Sequence, residues 1–185
     1  MRLFSAVVPP QHVRRDVLAT LETAQGRPRF RWTHPDKLHL TGVFLADVAP
    51  ARLAPVIASV DAAAAAVSPF DVELRGLGAF PNPLRARVLF VDVSEGRDEL
   101  VELHRVQSAA LLDAGIEVDE RPLSPHLTIA RPKRLPTAEE FQALADELAP
   151  WRWRFRVEQF ELIESRMQPR GAFYSVRHAT GLVGS

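Results

Sequence analysis

The chain contains no cysteine. That absence excludes a disulfide framework, a thiolate nucleophile and a cysteine-ligated metal, and it fits a cytoplasmic protein. There is no surplus of either charge: Lys plus Arg and Asp plus Glu number 23 each, for a formal net charge of zero. No global field gathers polyanions, so any contact with nucleic acid must be made by a local patch. Long apolar runs are missing as well. The stretch from Met1 to Val8 meets Pro9-Pro10 before it reaches the length of a signal core or a membrane span. No His-Glu-x-x-His run occurs, and the two histidines singled out below fall short of the usual zinc ligand count. Neither a metal nor another cofactor is therefore expected.

What is present is an ordinary globular balance, 46% apolar and 25% charged over 185 residues, enough for a sizeable core. One stretch organises it: Ser124-Pro125-His126-Leu127-Thr128-Ile129-Ala130-Arg131. Leu, Thr and Ile behind a proline predict a β-strand. Strand side chains alternate faces, so His126 and Thr128 share one side while Leu127 and Ile129 face the core. The same device occurs earlier as His39-Leu40-Thr41-Gly42, flanked by Leu38, Val43, Phe44 and Leu45. The histidines lie 87 residues apart (126 − 39), near half the chain, which suggests a loose internal duplication.

The remaining segments fit that plan. A buried strand is expected over 2–8, then a helix carrying Val13, Val17, Leu18, Leu21 and Ala24 and stopping at Gly26. Arg29 to Thr33 reads as a short strand leading to the first His-x-Thr strand at about 38–46, with an Ala-rich helix over roughly 51–67. Residues 70–80 and 84–93 predict a hairpin around Pro81-Asn82-Pro83. Leu100, Leu103, Val106, Ala110 and Leu111 mark a helix ending at Gly115, and Thr137-Ala138-Glu139-Glu140 matches a capping box for another. Residues 151–165 and 172–178 are expected to form a last hairpin around Gln168-Pro169-Arg170-Gly171. With no low-complexity linker, the halves should pack together as one domain over 1–185. The fold class is α+β, with two mostly antiparallel sheets facing a shared groove.

Such a groove suits displacement at phosphorus. Two imidazoles with ordinary pKa values of about 6.5 can be one protonated and one neutral near neutral pH. One takes a proton from water while the other donates to the leaving oxygen, and the paired hydroxyls of Thr41 and Thr128 donate to non-bridging oxygens.

The twin motifs resemble the 2H phosphoesterase superfamily, and their surroundings resemble its RNA 2′,3′-cyclic phosphodiesterase branch, formerly called 2′-5′ RNA ligases. The matching stretches are Arg31-Trp32 through His39-Leu40-Thr41 with Phe44-Leu45, then Arg87-Val88-Leu89-Phe90, Ser124 through Arg131, and Leu162-Ile163-Glu164-Ser165 before Gly171 and Tyr174. The resemblance implies a bilobal fold, helices outside, with pseudo-two-fold symmetry around a central cleft. It also implies metal-independent hydrolysis of RNA 2′,3′-cyclic phosphate ends to 2′-phosphates, with reverse 2′-5′ joining left open; a monomer is expected. On that analogy His39 protonates the departing 3′ oxygen, His126 activates water, and Thr41 and Thr128 hold the phosphate. Phe44 would stack on the base, with Arg131 beside it. Strict alternation puts Phe44 and Arg131 on the face opposite the histidines, so they reach the groove only if the strands bulge or end first, which Gly42 and Pro132 allow. Gly42 stands where the family usually has an apolar residue, and Asp36-Lys37 replaces Glu-Asn.

Two other readings start from the same residues. The substrate could be a smaller cyclic nucleotide, such as ADP-ribose 1″,2″-cyclic phosphate or a 2′-5′ oligonucleotide, or the fold could bind RNA ends without turnover. Among the other histidines, His12 and His104 are expected on helix surfaces and His34 in a turn. Only His178, in the last strand, has a position from which to line the groove. The alternation Trp151-Arg152-Trp153-Arg154-Phe155-Arg156-Val157 places three arginines on one strand face. That face reads either as a phosphate track or as a solvated surface over aromatics, and the second reading is preferred.

Overall fold

The computed structural model describes residues 1–23, 30–119, 121–169 and 171–184. Along them run β1 (Leu3–Val7), α1 (Gln11–Thr23), β2 (Phe30–Trp32), β3 (Leu40–Leu45), α2 (Leu53–Ala66), β4 (Phe70–Phe80), β5 (Val88–Glu95), α3 (Arg97–Asp113), β6 (His126–Pro132), α4 (Ala138–Leu148), β7 (Trp153–Val157), β8 (Gln159–Gln168) and β9 (Gly171–Gly181). The expected stop at Gly26, together with Arg29 and Arg170, lies outside the described residues.

Every strand pairing is antiparallel. The order is β7-β4-β5-β6-β3-β1-β8-β9, with β2 added to β6, so the two His-x-Thr strands are neighbours at the centre. The expected pair of sheets is thus two halves of one curled nine-stranded sheet, one of four strands and one of five. The seam between them is thin, since β3 and β6 share the single register pair Leu40↔Leu127. The halves interleave in sequence: β1, β3, β8 and β9 build one, while β4, β5, β6 and β7, with β2 beside β6, build the other.

Alternation explains which face each residue takes. Leu3, Ser5 and Val7 of β1 point to the helices, and Phe4 and Ala6 point to the opposite face, where they cluster with Ile163 beside Val8 and Tyr174. Both faces of β1 are covered, which is why it reads as an almost unbroken apolar run. Helices cover the other side: α2 and α3 pack on each other and reach β8, β9 and β3, while α4 and α1 reach β4 and β7. Val13, Val17 and Leu21 give α1 one buried stripe at helical spacing. The capping box of α4 is formed in both directions, between the Thr137 hydroxyl and the Glu140 N–H and between the Glu140 carboxylate and the Thr137 N–H. Gly115, at φ +67°, ends α3 in the left-handed region that favours glycine.

One expected element is wrong. Residues 151–165 are not one arm of a hairpin: the chain breaks at Glu158, β7 pairs with β4 at one edge, and β8 pairs with β1 and β9 in the other half. No glycine or proline lies between Trp151 and Ser165 to mark the break. The arginine-bearing face of β7 is paired across the ladder, Arg154 with Glu73 at 2.6 Å and Arg156 with Asp71 at 3.2 Å. Arg152 donates to the carbonyls of Ala149 and Trp151. This face is a neutralised surface over buried Trp153 and Phe155, as preferred from the sequence. No helix among the described residues is long and apolar enough to cross a membrane.

Candidate active site

The two His-x-Thr strands are built alike. Nδ1 of His39 lies 2.7 Å from the carbonyl oxygen of Lys37, and Nδ1 of His126 lies 2.7 Å from that of Ser124, in each case two residues back. A carbonyl can only accept, so it fixes the hydrogen on Nδ1 and leaves Nε2 as the working nitrogen. The loop that supplies the Lys37 carbonyl is itself held. Pro35–Lys37 form a short 3-10 turn, in which the His34 ring accepts from the Asp36 N–H. Arg14 of α1 donates to the Pro35 carbonyl at 3.2 Å.

Leu40 and Leu127 are buried in the core at the seam. Extending their register by one residue each way sets His39 opposite Thr128 and Thr41 opposite His126, all on the other face. Directly opposed residues stand about 5 Å apart and same-face neighbours along a strand about 7 Å. The two imidazoles and two hydroxyls therefore project side by side from one face, where the charge on His126 is felt at His39.

Aromatic rings wall this face on both sides. His39 packs against Phe4 and, edge-on, against Tyr174, with ring centroids 4.7 and 5.7 Å away. His126 packs against Phe80 and Phe90 at 4.8 and 5.1 Å. Phe90 lies over Gly78 directly across the ladder, where a Cβ would fall 2.3 Å from its ring, so only glycine leaves the ring this seat.

These walls set the electrostatics. Burial pushes the His39 imidazole below its usual range; the Lys37 carbonyl opposes this and the charge on His126 adds to it. Burial also lowers His126, against the support of the Ser124 carbonyl and of Asp92, which sits directly across β5. The two rings feel each other, so protonating one disfavours protonating the other. Once one ring takes up a proton the other is held neutral, which leaves one acid and one base.

Phe44 and Arg131 reach the histidine face through bulges. On β3, Ala6 pairs with Thr41 but Phe4 pairs with Phe44, three residues against two. Ser5 Oγ fills the gap, accepting the Val43 N–H at 2.8 Å and donating to Gln107 Oε1 at 2.5 Å. A Cβ on Gly42 would lie 2.6 Å from that hydroxyl and 2.9 Å from Phe160, so glycine here is a packing requirement of the bulge. Phe44 consequently stands 43% exposed on the face of Phe4, with the Arg2 guanidinium 4.8 Å from its ring centroid. On β6, Thr128 pairs with Phe90 and Ala130 with Leu89, again one residue in excess. That slip buries Ala130 and returns Arg131 to the histidine face.

The other histidines stay out of the cleft. His12 is exposed and His34 caps the turn. His178 bonds Asp61 at 2.7 Å, because a register slip between Leu162 and Ile163 turns it toward α2. His104 is half-buried, its Nδ1 3.2 Å from the Gly42 carbonyl, where a surface position was expected. Pattern reading passed over Phe4, Phe80, Phe90, Asp92 and Ser5 as parts of the site. A lone serine inside an otherwise apolar central strand was the one legible signal among them.

The fold and the twin histidine strands define a phosphoesterase of the two-histidine class. The chain belongs to the 2′-5′ RNA ligase superfamily, whose family model matches residues 8–168. It is 34% identical over 194 residues to a Thermus thermophilus protein named RNA 2′,3′-cyclic phosphodiesterase, covering 100% of this chain and 91% of that one. An Archaeoglobus fulgidus protein of the same name is 30% identical over 174 residues, covering 94% and 96%. A Geobacillus stearothermophilus relative of that name is 37% identical over 110 residues, 60% of this chain, and the match spans only 35% of its length. Among solved structures, one of a Thermus thermophilus protein superposes with a TM-score of 0.79 at 28% identity, covering 100% of this chain and 99% of that one. E. coli LigT complexed with 3′-AMP shares the fold, with a TM-score of 0.77 at 22% identity and coverage of 98% and 97%.

Proposed function

We propose that this protein opens 2′,3′-cyclic phosphates at RNA 3′ ends, leaving a 2′-phosphomonoester. The observation that carries the reading is the seam register, Leu40 with Leu127, which by strand alternation sets His39, Thr41, His126 and Thr128 side by side on one face. Kinship to relatives named RNA 2′,3′-cyclic phosphodiesterase supports the choice of substrate.

The phosphate sits between the rings, with Thr41 and Thr128 donating to its non-bridging oxygens. His126 takes a proton from water as the oxygen bonds phosphorus; the bond to O3′ breaks, and O3′ takes the proton from Nε2 of His39. Asp92 supports positive charge on His126, which suits a base. His39 is disfavoured as a cation by burial and by its neighbour, which makes it a readier donor once the bound phosphate anion has favoured its protonation. Phe44 stacks on the terminal base and Arg131 contacts the nucleotide. A 5′-hydroxyl in place of water yields a 2′-5′ linkage by the same steps.

The test is product analysis. An oligonucleotide ending in a cyclic phosphate, incubated with the protein in excess EDTA, is expected to yield only the 2′-phosphate. A 3′-phosphate product, or loss of turnover on chelation, would contradict the reading.

A further inference from the structure

We infer that Arg31 and Arg131 together form a subsite for the internucleotide phosphate next to the terminal one, so that the protein grips an RNA strand beyond its last nucleotide. The inference rests on the proposed function and extends it. On β2 and β6 the register runs Phe30↔Pro132, Arg31↔Arg131, Trp32↔Ala130. Phe30 and Ala130 are buried on the core side, so both guanidinium groups project from the histidine face, where both residues are exposed.

Like charges directly opposed on a sheet repel, and an anion held between them removes the cost. Several arginines of this chain are matched to acids: Arg97 to Asp92, Arg154 to Glu73, Arg156 to Asp71, and Arg166 and Arg177 to Glu164; what sets Arg31 and Arg131 apart is that they stand directly opposite each other on one ladder. Among the described residues neither Arg31 nor Arg131 has a carboxylate partner. In a chain of zero net charge, this directly opposed pair is a local cationic patch of the kind a polyanion requires. Arg131 lies three residues past Thr128, about 10 Å along the strand at ~3.3 Å per residue. Its charge also reaches Tyr174, the ring edge-on to His39, so the pair borders the same cleft. Arginine forks match phosphate oxygens bidentately, and such contacts position a strand without reading its sequence.

Arg31→Gln separates this subsite from the catalytic groups. The substrates are an RNA tetranucleotide ending in a 2′,3′-cyclic phosphate and a nucleoside 2′,3′-cyclic phosphate. For the tetranucleotide, KM should rise about tenfold, kcat should hold, and the slope of log KM against log salt should fall by about one. Turnover of the mononucleotide should stay within about twofold, which also reports that the variant is folded. Arg31→Glu should raise the tetranucleotide KM further. An equal loss on both substrates, or an unchanged tetranucleotide KM and salt slope, would overturn the inference. If the parent opens the mononucleotide but gains nothing from the longer chain, the subsite fails while the cleft reading stands. If the parent opens neither substrate, the cleft reading itself fails.

Discussion

Replacing His39 or His126 with alanine is expected to lower kcat/KM for the cyclic phosphate by a factor of about 10² to 10⁴ in each case. Each ring is the sole proton carrier on its side of the cleft, and neither threonine can substitute, since a hydroxyl neither accepts nor releases a proton readily near neutral pH. The double variant should fall little further than the worse single one, because an acid and a base that act in one transition state lose their effect together. Initial rates on a nucleoside 2′,3′-cyclic phosphate measure this, with thermal unfolding of each variant as control. A single variant that kept more than a tenth of the parent's turnover would show that its ring moves no proton in the slow step.

The next largest effect belongs to the seam. Leu127 is fully buried and Leu40 nearly so, and their pairing is the sole ladder contact between β3 and β6. Leu127→Ala is expected to cost about 3 kcal/mol of stability, within the ~2–5 kcal/mol typical of a core leucine truncated to alanine. It should also lower kcat in the fraction that remains folded, because the four side chains proposed to act on the phosphate take their spacing from this pair. Leu162→Ala is the control. That residue is equally buried but lies on β8, two strands from the seam, so it should lose comparable stability with kcat nearly intact. Denaturant unfolding and kcat measured well below each midpoint separate the two effects. Equal kcat for both folded variants would show that the cleft does not depend on the seam.

What could be read from the chain itself follows from how local each cause is. Period-two alternation placed His39 with Thr41 and His126 with Thr128, because strand geometry alone decides it. The Thr137 capping box and the Gly115 stop were legible for the same reason. Strand neighbours were not: β7 and β8 read as one continuous run, and only long-range pairing with β4 and with β1 splits them at Glu158. The two half-sheets likewise became one, through a single leucine pair that no pattern announces. Gly42 appeared as a departure from the family; the close approach of Ser5 and Phe160 supplies its cause. The faces of Phe44 and Arg131 turned on bulges that Gly42 and Pro132 made possible but did not specify, since a bulge is defined by the partner strand. The aromatic walls that depress both imidazoles come from β1, β4, β5 and β9, far apart in sequence and close only once folded.

The central claim is that both imidazoles serve one phosphorus atom. Long-range proton–nitrogen NMR of the histidine rings, recorded against pH and then against added nucleoside 2′-monophosphate, tests it most directly. Both rings should titrate below about 6.5 in the free protein, with the two steps coupled. Nε2 of His39 and of His126 should then shift together along one binding isotherm, each toward the protonated form, because the anion favours positive charge on its neighbours. Independent responses with different affinities, or a shift confined to one ring, would contradict a shared site.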